Sequence, residues 1–167
     1  MSQEQGAHDS EHSQLRELIV EHLFIGELLR LCWRRKLFDV EVLRSETDAF
    51  GYDLILERAG RVRHIQLKSV KLGGKTSEWK VSLGLLAKPG GCVICIVVGD
   101  DDLSFDHFLW FGDAQGKLPD IQDLKVAKHS KANAEGVKLE RSNHRVVRRG
   151  KFKLLRTMDE VLTHLFN

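Results

Sequence analysis

No stretch of this 167-residue chain approaches the roughly 18 consecutive apolar residues of a membrane helix. Its polar, partly acidic start, Met1-Ser2-Gln3-Glu4-Gln5, lacks the basic-then-apolar order of an export signal. Neither a membrane partner nor export is expected, and the cytoplasm is the expected compartment. Cysteine is scarce, with three residues. Cys92 and Cys95 have C-x-x-C spacing but stand in an apolar run that continues to Val98. On a strand, positions three apart face opposite sides, so the pair cannot chelate one ion, and burial as small hydrophobes is expected. Internal repeats and low-complexity tracts are also lacking.

Net charge is small too, at +2, yet it is unevenly spread. Residues 125–156 carry eleven Lys and Arg against Glu135 and Glu140, a net +9. Residues 100–123 carry seven Asp against Lys117, a net −6. A basic block of that density suits a phosphate backbone, so Lys125, Lys128, Lys131, Lys138, Arg141, Arg145, Arg148 and Arg149 are candidate nucleic-acid contacts. A solvated surface loop is the plainer alternative. His129 and His144 lie in the same block with no acid or cysteine at chelating spacing, which favours phosphate contact over metal ligation.

With 42% hydrophobic and 30% charged residues, the chain is the size of one globular domain. Residues 1–12 lack apolar periodicity and read as a disordered lead-in to a single domain over 13–167, with a core at 13–98 and a basic elaboration at 99–167. Helical spacing over 11–36 puts Leu15, Leu18, Ile19, Ile25, Leu29 and Trp33 on one face, with Ser10 or Ser13 as cap. A narrower stripe runs through Val20, Phe24, Glu27 and Leu31. Strands are expected at 38–43, 50–57 and 62–69, then a strand-like start and short helix over 79–88 ended by Pro89-Gly90-Gly91. The run 92–98 reads as a strand buried on both faces, 108–111 as another strand, 152–155 as extended, and Thr157 as the cap of a last helix. The order defines an α/β (α+β) fold around one central mixed sheet flanked by helices.

The chemistry concentrates in Gly51-Tyr52-Asp53 and Gln66-Leu67-Lys68. Strand alternation sends Gln66 and Lys68 to one side. A tight turn around Gly60 and Arg61 would set Asp53 opposite Lys68, with Gln66 diagonal. Phosphodiester hydrolysis needs an activated water and relief of charge on phosphate and leaving oxygen; Mg2+ (or Mn2+) held by one or two carboxylates supplies both. Asp53 suits a metal ligand, Gln66 can offer a carbonyl oxygen, and Lys68 can orient or deprotonate the water. Because Gln66 brings no charge, other acids must help. Glu27 leads, with Glu46 and Asp48 in reserve, though Glu27 could equally pair with Arg30 or Arg34. An Asp53–Lys68 structural ion pair is the plainer reading of the strands.

The helical Glu27, the Gly51-Tyr52-Asp53 strand and the Gln66-Leu67-Lys68 strand, followed by a helix and a buried strand, resemble the PD-(D/E)XK nuclease superfamily over about 13–98. The likeness is to Q-x-K variants such as Mrr-like restriction endonucleases and related bacterial proteins. It implies a restriction-endonuclease-like αβββαβ core, metal binding at Asp53 and Gln66, a catalytic Lys68, a completing Glu27, DNA rather than RNA as substrate, and a homodimer that cuts both strands. The sequence departs from that pattern where Gln66 replaces the usual acid and no proline precedes Asp53. The expected activity is metal-dependent DNA cleavage. A turnover-deficient module that binds nucleic acid, or an assembly domain joining the basic and acidic blocks of two copies, are the alternatives.

Overall fold

The computed structural model describes residues 12–113, 116–130 and 132–167. The lead-in therefore lies, His12 aside, outside the described residues, as does Lys131. Helix α1 (Ser13–Arg34) is followed by strands β1 (Glu41–Arg44), β2 (Leu54–Arg58), β3 (Arg61–Lys71) and β4 (Glu78–Ser82). A 3-10 turn (Leu83–Ala87) leads to β5 (Cys92–Val98) and β6 (Phe105–Phe111); β7 (Val126–Lys128), β8 (Glu140–Arg148), β9 (Lys153–Leu155) and helix α2 (Met158–Phe166) complete the order.

Six strands form one mixed sheet in the order β1-β2-β3-β5-β6-β9, with β3 and β5 parallel and the other neighbours antiparallel. Three layers result. On one face, α1 and α2 pack Val20, Phe24, Leu28, Leu31, Val161 and Leu165 onto Leu54, Leu56, Ile65, Ile94 and Ile96. On the other, a small antiparallel sheet β4-β8-β7 brings Trp79, Val81 and Val147 against Val93, Cys95 and Val97. Because β5 is covered on both sides, all seven of its residues are buried, which explains its unbroken apolar run. Cys92 belongs to the helix-side core and Cys95 to the opposite one, and burial pushes both thiols up to about 12.

The α+β class with a mixed sheet and flanking helices is as expected, with five differences. The strand expected over 50–57 begins only at Leu54, so Gly51-Tyr52-Asp53 is loop. The crossover from β3 to β5 carries β4 and a 3-10 turn rather than an α-helix, since Pro89-Gly90-Gly91 leaves no room for further turns. The basic segment, for which no strand was expected before 152–155, forms the β7–β8 pair of the second sheet. Helix α1 has His12 at its N-cap and no side-chain cap bond, so Ser13 is its first residue rather than its cap, while Ser10 lies outside the described residues; Thr157 does cap α2, accepting from the Glu160 amide. The buried stripe of α1 is Val20, Phe24, Leu28, Leu31 and Cys32, leaving Leu15, Leu18, Ile19, Leu29 and Trp33 exposed. Spacing finds an apolar face but does not say which of two such faces meets the sheet.

Candidate active site

Strand β3 outruns β2. Pairing with β2 ends at Leu54↔Ile65, whereas pairing with β5 continues to Lys71↔Val98. Residues 66–71 thus leave one edge without a strand, and a cleft of about 550 Å³ opens there between α1, the loop before β2 and the start of β4. Its walls carry Glu17 and Glu21 from α1, Asp48 and Asp53 from the loop, Lys68 and Ser69 from β3, and Thr76 and Trp79 at β4.

The β2–β3 turn is Ala59-Gly60, both at positive φ (50° and 77°), which is the two-residue hairpin of type I′ character. With Arg58 opposite Arg61, the turn centre lies one residue earlier than expected, so every partner shifts by two. Continuing the Leu54↔Ile65 register sets Asp53 beside Gln66, and Lys68 becomes the diagonal neighbour. Asp53 donates its amide to Ile65 O (2.8 Å), and its Oδ2 accepts from the Leu67 amide (2.7 Å). Burial pushes the Asp53 carboxyl above its ordinary range; the Leu67 amide and Lys68 charge draw it back, while the charges of Asp48 and Glu21 push it up.

The loop holding Asp53 is pinned locally. Gly51 has φ +75°, and a Cβ there would stand 2.3 Å from the Ser82 Cβ, so only glycine fits. Tyr52 packs edge-to-face on His64 (4.8 Å), and the Lys88 ammonium sits 3.8 Å over the Phe50 ring.

Gln66 and Lys68 lie on the sheet face that also carries His64 and Val70. Gln66 is only 5% exposed, and its Oε1 is buried without a hydrogen-bond partner. A buried acceptor left unmade costs about 1–3 kcal/mol, and Gln66 lies next to the cleft in β3 without being one of its lining residues. On the opposite face of β3, the Ser69 Oγ is also buried and unmatched.

Glu27 is not in this cleft. It binds Arg30 at 2.6 Å and lines a separate hollow with Leu23, Asp102 and Arg156. Six residues of helix separate it from Glu21, about 600° of rotation, so the two carboxylates leave α1 in different directions. Glu21 takes the place expected of Glu27, held by Arg44 at 2.5 Å. Asp48 lines the cleft, whereas the exposed Glu46 does not. Glu17 and Glu21, Trp79 and Thr76 are site-lining residues that sequence reasoning missed. The i,i+4 spacing of two glutamates beside the buried stripe was the available signal.

The implied divalent cation finds a matching donor type. Asp53, Glu21, Glu17 and Asp48 bring carboxylate oxygens to the cleft, the ligand type that Mg2+ and Mn2+ take. Among the described residues no three His, Cys, Asp or Glu side chains stand together as a ready-made metal site. Mg2+ keeps several waters and is bound through as few as one or two carboxylates, a number the cleft can offer.

The basic residues divide. Lys125, Lys128, Lys138 and Arg148 are exposed, while Arg141, Arg145 and Arg149 are partly buried. Arg145 is committed to the fold, donating to Gln122 O (2.9 Å) and Ser142 O (2.6 Å). Arg141 meets the His144 ring at 3.0 Å. Burial and the charge of Arg141 hold His144 below its ordinary range, with Lys68 and Lys80 lowering it further and Asp48 raising it; no β8 residue is among those lining the Asp53 cleft. A larger hollow, about 840 Å³, lies at the far end of β3 with Arg61, Lys88 and Lys117 on its wall. None of the described residues lining it carries a carboxylate side chain, so they do not offer the same chemistry.

No protein-family model matches the chain, and no curated protein matches it. Among solved structures, the bacterial homing endonuclease I-Ssp6803I is similar over 59% of this chain, with 20% identity and a TM-score of 0.36. The matched region spans 63% of that protein, under two thirds of its length. At that score the likeness does not bear on the site, whose reading stands on the residues themselves. None of the helices among the described residues is long and apolar enough to cross a membrane.

Proposed function

We propose that this chain is a divalent-metal-dependent nuclease hydrolysing DNA phosphodiester bonds. The observation that carries the reading is the meeting of Asp53, Lys68, Glu21 and Asp48 in one cleft. Asp53, Glu21 and the Gln66 carbonyl would hold Mg2+ or Mn2+, which when bound supplies an acidified water and charge relief on the phosphate. Lys68, diagonal to Asp53, offers an ammonium to the non-bridging phosphate oxygens or a base to the attacking water. Lys125, Lys128, Lys138 and Arg148 would hold the DNA backbone beside it. A cytoplasmic site of action suits DNA as substrate.

The test is cleavage of plasmid DNA with Mg2+ or Mn2+. Activity is expected for the natural chain and not for Asp53→Ala or Lys68→Ala, with circular dichroism showing an intact fold. Cleavage undiminished in both variants overturns the assignment. The neutral Gln66 and the absence of three clustered ligands among the described residues favour a second reading, a nuclease-like module that binds nucleic acid without turnover. Salt-sensitive DNA binding with no metal-dependent cleavage selects that one.

A further inference from the structure

The hollow at the far end of β3 is separate from the Asp53 cleft, and among the described residues none lines both. Four cations line it: Arg61 and Arg63 from β3, Lys88 before β5 and Lys117 after β6. None of the four forms an ion pair among the described residues, whereas Arg30, Arg35, Arg44, Arg58 and Lys71 each meet a carboxylate. Like charges gathered without an acid repel one another, so the arrangement carries a cost that a bound anion would relieve.

Arg63 is the decisive member. It is 2% exposed, and its guanidinium lies 5.6 Å from the centre of the Trp110 ring. Its Nε donates to Leu165 O and its Nη2 to His164 O, but its Nη1 is buried with no partner. A guanidinium held only by carbonyls and a ring keeps its full charge with no counter-ion, one of the costlier burials a fold can make. Bare backbone faces the hollow beside it. Gly90 and Gly116 both line the hollow, joined by the Gly90 amide donating to Gly116 O at 2.7 Å. Gly116 stands so near that a Cβ there would touch Nη1 at 3.6 Å, and a Cβ at Gly90 would strike Val62 O at 1.8 Å. No side chain of either residue screens the Arg63 charge from the hollow.

We propose that this hollow binds a phosphate monoester, its phosphate set against the Gly90–Gly116 backbone over the Arg63 charge and flanked by Arg61 and Lys117. Arginine's planar fork and lysine's point charge are the usual partners of phosphate. A monoester carries about −1.5 to −2, against about −1 for a phosphodiester, and so suits a wall of four cations better. At about 840 Å³ the hollow has the size of a small-molecule site and exceeds what a bare phosphate fills. Val62, Leu86 and Pro89 on the same wall offer apolar surface to the organic body of the ester. Two sources carry this group, a free mononucleotide and the phosphorylated end of a nucleic-acid strand. The site does not rest on the nuclease reading.

Isothermal titration of the full chain with AMP, inorganic phosphate and adenosine at low salt tests the proposal independently of catalysis. AMP is expected to bind, inorganic phosphate to bind more weakly, and adenosine not to bind. Arg61→Ala should weaken AMP binding by roughly 10-fold and Lys117→Glu by more, with circular dichroism unchanged because both side chains are exposed. Lys128→Ala, in the separate basic block, should leave AMP affinity within about twofold. Displacement of AMP by a 5′-phosphorylated oligonucleotide, and not by the same strand without that phosphate, identifies a strand end as the source; displacement by neither identifies a free nucleotide. The proposal is overturned if neither AMP nor phosphate binds at roughly 5 mM, or if adenosine binds as tightly as AMP. Unchanged AMP binding in Lys117→Glu, or equal displacement by the unphosphorylated strand, overturns it as well.

Discussion

The Asp53 carboxylate accepts the Leu67 amide at 2.7 Å, filling the place that a neighbouring strand's carbonyl would take had β2 continued. One side chain thereby ends the β2–β3 ladder and turns its remaining oxygen toward the cleft. Its orientation is set by backbone, so substitution at Asp53 changes both a ligand and a strand contact. Asparagine, which keeps an oxygen for Leu67, is the informative replacement.

Burial raises the folded-state pKa of Asp53 above its unfolded value near 3.8. Between those two values the folded chain holds more protons than the unfolded one, so this group's contribution is fully present at low pH and is lost as pH rises through the folded pKa. Asp53→Asn, which never ionises, is expected to raise the thermal midpoint by about 2–4 °C near neutral pH. The gain should vanish below about pH 3.8. Added Mg2+ should raise the midpoint of the natural chain and not that of the variant. Calorimetry across pH, with and without Mg2+, checks both.

Two glutamates of the same helix are expected to behave differently. Glu21→Gln should lower metal-dependent cleavage by about 10–100-fold, the usual loss when a metal-supporting group is removed. Its ion pair with Arg44, partly exposed, contributes at most about 1 kcal/mol to stability. Glu27→Gln, whose carboxylate belongs to another hollow, should leave cleavage within about twofold. Rates of plasmid nicking under saturating Mg2+ separate the two.

Gln66→Glu should restore the charge that the site lacks. Without divalent cation, a further buried carboxylate is unpaired and the thermal midpoint should fall. With Mg2+ it should recover, and apparent affinity for the ion should rise about tenfold. Isothermal titration of Mg2+ against both chains decides the matter; unchanged affinity would place the ion away from Gln66.

Gly51→Ala should cost about 1–3 kcal/mol in urea denaturation, because the position combines φ +75° with a 2.3 Å approach to Ser82. Asp53 follows two residues later, so cleavage should fall along with stability. By contrast Gly60→Asn, at a turn with open space around it, should be nearly neutral.

Exposed and committed cations should separate in DNA binding. Lys128→Ala or Arg148→Ala is expected to reduce the slope of log affinity against log salt by about one. Arg145→Ala, whose guanidinium holds Gln122 and Ser142 carbonyls, should show instead as lost stability. Fluorescence anisotropy at several salt concentrations, with thermal melts, reads both effects.

Much of the core was legible because its signals are local. The apolar run of β5, the Thr157 cap and the shared side of Gln66 and Lys68 each follow from residues adjacent in sequence. What was not legible depends on distant partners or on single-residue turn geometry. Placing the hairpin at Ala59-Gly60 moved Asp53 from opposite Lys68 to beside Gln66. Strand β8 was hidden because charged residues on both of its faces mask the alternation that marks a strand. Glu21 was passed over for Glu27 because the apolar faces of α1 compete, and only the sheet decides which is buried.

Arg63 is 2% exposed in the same strand that bears Lys68, and its guanidinium donates to Leu165 O at 2.7 Å and His164 O at 2.9 Å. That end of β3 is thus riveted to the last turn of α2, while residues 66–71 keep one edge without a strand. The strand is therefore held at both ends, by Arg63 at one and by its pairing with β5 as far as Lys71 at the other. Adjustments that carboxylates would need to close around an ion fall to the adjoining 45–53 loop, outside the packed sheet.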